Sequence, residues 1–90
     1  MTVRQFLSET KKELIRPKVK LKDNTVMSIQ CSHYHYCTKD KNGIPLTVEV
    51  MSTNCPELVA IADDDYIVPN LPIDVLEQIV EKHGGIVCLL

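Results

Sequence analysis

Ninety residues suffice for one small domain, which excludes a two-domain arrangement. Apolar residues at 44% and charged residues at 24% are near globular averages and exclude a wholly disordered chain. The net charge of -2 conceals a division: through Lys22, seven basic residues face Glu9 and Glu13, and beyond it three lysines face ten acids.

Thr2 and Gln5 stand at a capping-box spacing. Val3, Phe6, Leu7, Thr10 and Leu14 follow at helical intervals, predicting a first helix to about Ile15 that Pro17 stops. From Lys18 to Lys22, Val19 and Leu21 alternate with three lysines, the pattern of a half-buried strand with a basic, edge-guarding outer face. Asp23-Asn24 predicts a turn, and Val26 to Cys37, rich in β-branched and aromatic residues, a long second strand. After the Asn42-Gly43 turn signal, Leu46, Val48 and Val50 alternate as a third strand that completes a meander. Pairing Cys37 with Leu46 rather than Pro45 places Val48 and Val50 with Met27 and Ile29, which packing favours.

Asn54-Cys55-Pro56-Glu57 reads as a helix start, with proline at the first helical position, and the helix is expected to reach Ala62. Asp63-Asp64-Asp65 ends it, Tyr66-Ile67-Val68 is a candidate brief strand, and Pro69 and Pro72 enclose a rigid loop. Ile73, Leu76, Ile79, Val80 and His83 fall on one stripe of a last helix closed by Gly84-Gly85, and Ile86 to Leu90 is a candidate edge strand. The expected fold is α+β: a small antiparallel sheet of three to four strands, with an N-terminal and a C-terminal helix packed on one face, forming a single domain over 1–90.

One Phe and no Trp make a thin core, for which a staple would be useful. Four cysteines and three histidines are the candidates. The N-terminus shows no apolar leader, so the expected compartment is the cytoplasm, where disulfides are disfavoured and clustered Cys and His point to metal. The sharpest motif is Cys31-Ser32-His33-Tyr34-His35-Tyr36-Cys37, whose metal-competent residues alternate and would share one face of a strand. Six extended residues span roughly 20 Å, so only a neighbouring pair reaches one ion. His83, on the core-facing stripe, and Cys55, beside a helix start that favours thiolate, are the natural complement. The expectation is a closed structural zinc site drawn from His33, His35, Cys37, Cys55 and His83, with Cys31 and Cys88 in reserve; zinc suits mixed thiolate and imidazole. The plainer alternative makes the cysteines small core hydrophobes and the histidines hydrogen-bonded strand residues, and the spacing matches no paired CxxC pattern.

Catalysis has weaker support, and no enzyme is expected: Cys37, the one candidate nucleophile, and His35 point the same way along a strand with no third group to orient a base. The Asp63-Asp64-Asp65 run lacks the glycine and distal glutamate of a calcium loop. The basic segment Arg16 to Lys22 has no interleaved aromatics, and the pI near 5.8 speaks against a dedicated nucleic-acid binder, which stays as the alternative function. The acids Glu57, Asp63, Asp64, Asp65, Asp74, Glu77 and Glu81 are the candidate partner-binding residues, able to meet a basic groove on another protein. No apolar run is long enough to span a bilayer, and no membrane partner is expected.

Three stretches resemble small phage and prophage proteins: Thr2-Val3-Arg4-Gln5-Phe6-Leu7; Ser28-Ile29-Gln30 with His35-Tyr36-Cys37; and Val75 to Ile86, ending Glu81-Lys82-His83-Gly84-Gly85-Ile86. Short accessory proteins of that origin include the type II-A anti-CRISPR proteins, inhibitors of RNA-guided CRISPR nucleases, some of them small, acidic and metal-containing. The resemblance implies a non-enzymatic inhibitor acting in the host cell, which docks on the nuclease and blocks loading of guide RNA or target DNA; it assigns no binding residues.

Overall fold

In the computed structural model, which describes residues 1–90, the capping box forms as its spacing predicts. The Gln5 amide donates to Thr2 Oγ1 at 3.1 Å and the Thr2 amide to Gln5 Oε1 at 2.8 Å, starting helix α1 (Val3–Glu9), which buries Val3, Phe6 and Leu7. This helix ends well short of Ile15. Thr10 caps it by donating its hydroxyl to the Phe6 carbonyl at 2.7 Å, and the chain then turns so that Arg16 is buried beneath the helix end. Leu14, expected on the apolar stripe, and Ile15, expected to end the helix, are exposed.

Strands β1 (Val19–Leu21) and β2 (Val26–Gln30) pair antiparallel across the Asp23-Asn24 turn, where Asn24 has φ 73°. The long second strand breaks at Gln30. Residues 31–37 leave the sheet as a loop closed by a disulfide between Cys31 and Cys37, and the chain returns as β3 (Thr38–Lys39). Along one edge of β4 (Pro45–Met51), β2 pairs with the C-terminal half and β3 with the N-terminal half. Ile29 therefore faces Val50, where the Cys37–Leu46 alignment would put it opposite Asn54. The shift is an even number of residues, so faces are kept: Met27, Ile29, Val48 and Val50 are all buried. Leu46, at the strand end, is exposed.

The other edge of β4 takes β5 (Ile67–Pro72), longer than the brief strand expected there. Its prolines are tolerated because β5 is an edge strand, whose outer side needs no donors. Between them, α2 (Pro56–Val59) is a single turn that stops before Ala62. Helix α3 (Ile73–Lys82) buries Ile73, Leu76 and Val80, touches α1, and lies against β4 and β5. Gly84 (φ 94°) ends it, and a Cβ there would lie 2.6 Å from the Lys22 Cβ, so only glycine lets the helix end sit against the β1–β2 turn. Strand β6 (Ile86–Leu89) then pairs with the free edge of β1. The fold is α+β with an antiparallel sheet of six strands rather than three to four, and with three helices. No helix is long and apolar enough to cross a membrane.

Candidate metal centre

Chain segments distant in sequence meet at the foot of α3. Cys55 is the N-cap of α2, which turns its side chain into the core, where it is fully buried; Glu57 follows in the first turn. His83 is the C-cap of α3, and Asp23 comes from the β1–β2 turn, fastened to the helix end where its amide donates to the His83 carbonyl at 3.3 Å. The imidazole lies between two carboxylates. Nδ1 is 2.5 Å from Asp23 Oδ2, and Nε2 is 2.7 Å from Glu57 Oε2 and 4.0 Å from Cys55 Sγ. Thr25 supports Asp23, its amide donating to Oδ1 at 3.1 Å.

The electrostatics follow from this geometry. Only an imidazolium donates from both ring nitrogens, and the bonds to Asp23 first and Glu57 second raise the His83 pKa above its ordinary value. Asp23, bonded first by Thr25 and then by His83, is lowered to about 2, and the bond from His83 also lowers Glu57. Burial pushes the Cys55 thiol up, and the Glu57 charge adds to the rise.

Cys55 Sγ, a Glu57 oxygen and a His83 ring nitrogen all lie within 4.8 Å of one another, and together they could hold a metal ion. Around a tetrahedral ion with bonds of 2.0 to 2.3 Å, neighbouring ligand atoms are separated by about 3.3–3.7 Å. The sulfur–nitrogen separation exceeds this by a few tenths of an ångström, and the nitrogen–oxygen separation falls short by less than about one. Asp23 holds Nδ1, leaving Nε2 for the ion, which is how a carboxylate orients a ligating histidine.

Of the five expected ligands, the structure brings together Cys55 and His83 and adds Glu57, which had been placed on the partner-binding face. The other three lie elsewhere. Cys37 is bonded to Cys31 with Cα atoms 5.5 Å apart, His33 is exposed, and His35 Nδ1 lies 2.6 Å from Ser32 Oγ. Their shared face depended on an extended strand; once the chain leaves the sheet at Cys31, the alternation no longer aligns them, and the two sulfurs meet. Of the reserves, Cys31 is consumed in that disulfide and Cys88 lies exposed on β6. Asp23 announced only a turn, because its approach to His83 depends on the non-local fit of Gly84 against Lys22. Glu57 was visible as the second residue after Cys55, a spacing that keeps both on one turn.

The acidic residues do not form one free face. Arg4 pairs with Asp74 at 2.7 Å, Glu77 accepts the Val3 amide at the start of α1, and Asp63 accepts the amides of Asp65 and Ile67 within its own turn. Asp64, Asp65 and Glu81 remain exposed without cationic partners. Arg16, first residue of the basic segment, is buried and absent from any phosphate-binding surface. Cys55, His83 and Asp23 stand in the sequence of a nucleophile, base and orienting acid, but a fully buried, neutral thiol with Glu57 nearer the imidazole is poorly placed to attack a substrate. No protein-family model matches the chain, and neither does any curated protein or solved structure.

Proposed function

We propose that the protein is a small zinc-stapled interaction domain in which Cys55, Glu57 and His83 hold one zinc ion and Asp23 orients His83. The supporting observation is the convergence of three chemically different ligand atoms around a largely buried point, with the second nitrogen of the histidine already held by a carboxylate. Thiolate, imidazole and carboxylate together suit zinc better than a hard cation, which prefers oxygen throughout. Such an ion ties the β1–β2 turn, α2 and the end of α3 together in a chain whose core holds a single Phe.

The stapled domain presents Asp64, Asp65 and Glu81, and the partner class that such charges fit is a basic protein surface. The RNA-guided nuclease implied by the sequence resemblance belongs to this class, and blocking of its nucleic-acid channel is the function that the reading assigns. The test is elemental analysis of the purified chain, with nuclease inhibition assayed for wild type, C55S and D64K/D65K. One zinc per chain, lost in C55S, together with inhibition weakened by the charge reversal and by salt, is expected. A metal-free chain removes the staple, and inhibition untouched by D64K/D65K removes the assigned surface.

A further inference from the structure

Arg16 is only 4% exposed, yet it meets no carboxylate. Its guanidinium donates to Thr10 Oγ1 at 2.8 Å, to the Cys31 carbonyl at 3.0 Å and to the Leu7 carbonyl at 3.4 Å, all uncharged acceptors. Gln30 fixes the backbone of the same residue, accepting its amide proton and donating to its carbonyl, each at 2.8 Å. A buried cation without a counter-ion is costly, and burial pulls the Arg16 pKa down. Through the Cys31 backbone carbonyl this cation is tied to one half of a cystine whose two residues differ in exposure: Cys31 is buried and Cys37 only partly so.

We propose that Cys31–Cys37 is a redox-active pair that exchanges with dithiols, and that Arg16 is the counter-ion of the Cys31 thiolate which exchange releases. A thiolate of the dithiol attacks Sγ of Cys37, the less buried of the two; the cystine S–S bond breaks, and Cys31 departs with the electron pair, its charge balanced by Arg16. The second thiol of the reductant loses its proton and attacks its own partner sulfur in the mixed disulfide, releasing Cys37 and a cyclic disulfide. Two electrons pass from the dithiol to the cystine. Of its two protons, one goes to Cys37 and one to solvent, and a disulfide oxidant reverses the sequence. Because β2 and β3 stay paired to β4 on either side, opening frees the loop that displays Tyr34 and Tyr36 without dismantling the sheet.

The remaining ionisable groups around the loop are few. Glu13 acts on Arg16 through space, His33 and His35 belong to the loop itself, Glu49 of β4 accepts the Tyr36 amide at 3.0 Å, and Lys39 follows in β3. The inference uses cysteines distinct from those of the proposed zinc site, so either can fail alone.

The test follows the full chain labelled with 13C at cysteine Cβ, titrated by NMR after reduction, and separately the rate of disulfide reduction by dithiothreitol. An unstructured cysteine titrates near about 8.5, whereas one beside an arginine falls to about 7.5 or lower. Cys31 is expected to titrate at least about one pH unit below the unstructured value, R16Q to raise it and slow reduction about tenfold, and R16K to restore most of both. Cys31 titrating at or above the unstructured value in wild type overturns the proposal, as does a Cys31–Cys37 pair that stays reduced in a buffer of mixed glutathione and its disulfide. Should R16Q fail to fold, the wild-type titration decides alone.

Discussion

If His83 ligates zinc as proposed, it carries opposite pH dependences in the metal-free and the loaded chain. In the metal-free chain its pKa is raised above the ordinary 6.5, so the clamp contributes stability that is complete below pH 6.5 and is lost as pH rises through the folded value. Asp23, lowered from 3.8 to about 2, contributes stability present above pH 3.8 and lost as pH falls towards 2. With zinc bound, the Cys55 thiol and the His83 imidazolium must both give up protons, so affinity rises with pH. Calorimetric scans between pH 5 and 9 are therefore predicted to show the metal-free Tm falling on the alkaline side while the zinc-loaded Tm rises; parallel curves would deny His83 a place in the site. Asp23→Asn keeps the shape of the side chain but removes its charge, and is expected to weaken zinc binding about 10- to 100-fold in a competition titration with a chromophoric chelator.

Of the three positive-φ glycines, Gly84 and Gly43 separate local strain from packing. Both occupy the left-handed region, but a Cβ at Gly43 meets nothing within 4 Å, whereas one at Gly84 meets Lys22. Gly43→Ala is expected to cost about 1 kcal/mol in denaturant unfolding, and Gly84→Ala more, with a loss of zinc affinity because the helix end and His83 must shift. Equal costs would mean that the Gly84 contact is soft. The same contrast accounts for what the residues disclosed in advance. The start of α1, the alternation in β1 and β4, and the stripe of α3 are written in neighbouring residues. The end of α1 depended on where Arg16 finds its acceptors, the break after Gln30 on the Cys31–Cys37 contact, and the length of β5 on an edge that accommodates prolines. Cys55 and His83 were legible as candidate ligands because one stands at a helix start and the other on the core-facing stripe of the last helix; Glu57 reads as a surface acid, and Asp23 as a turn residue.

For the molecule as a whole, the site joins residues 23, 55, 57 and 83, so one ion would close most of the chain into loops across a core with a single aromatic ring of the Phe type. Bound at this site, zinc at a hundredfold its Kd would add about 2.7 kcal/mol, which for a domain of this length would raise Tm by about 10–20 °C. A chelator is expected to reverse that shift in full. The most direct measurement is cobalt substitution followed by absorption spectroscopy on wild type, C55S and H83A. Binding at Cys55, Glu57 and His83 predicts one equivalent of cobalt with a sulfur-to-cobalt charge-transfer band and tetrahedral visible bands, with the sulfur band abolished in C55S and binding lost in H83A. A wild-type spectrum identical to that of aqueous cobalt, or bands that survive both substitutions, would place the metal elsewhere or nowhere.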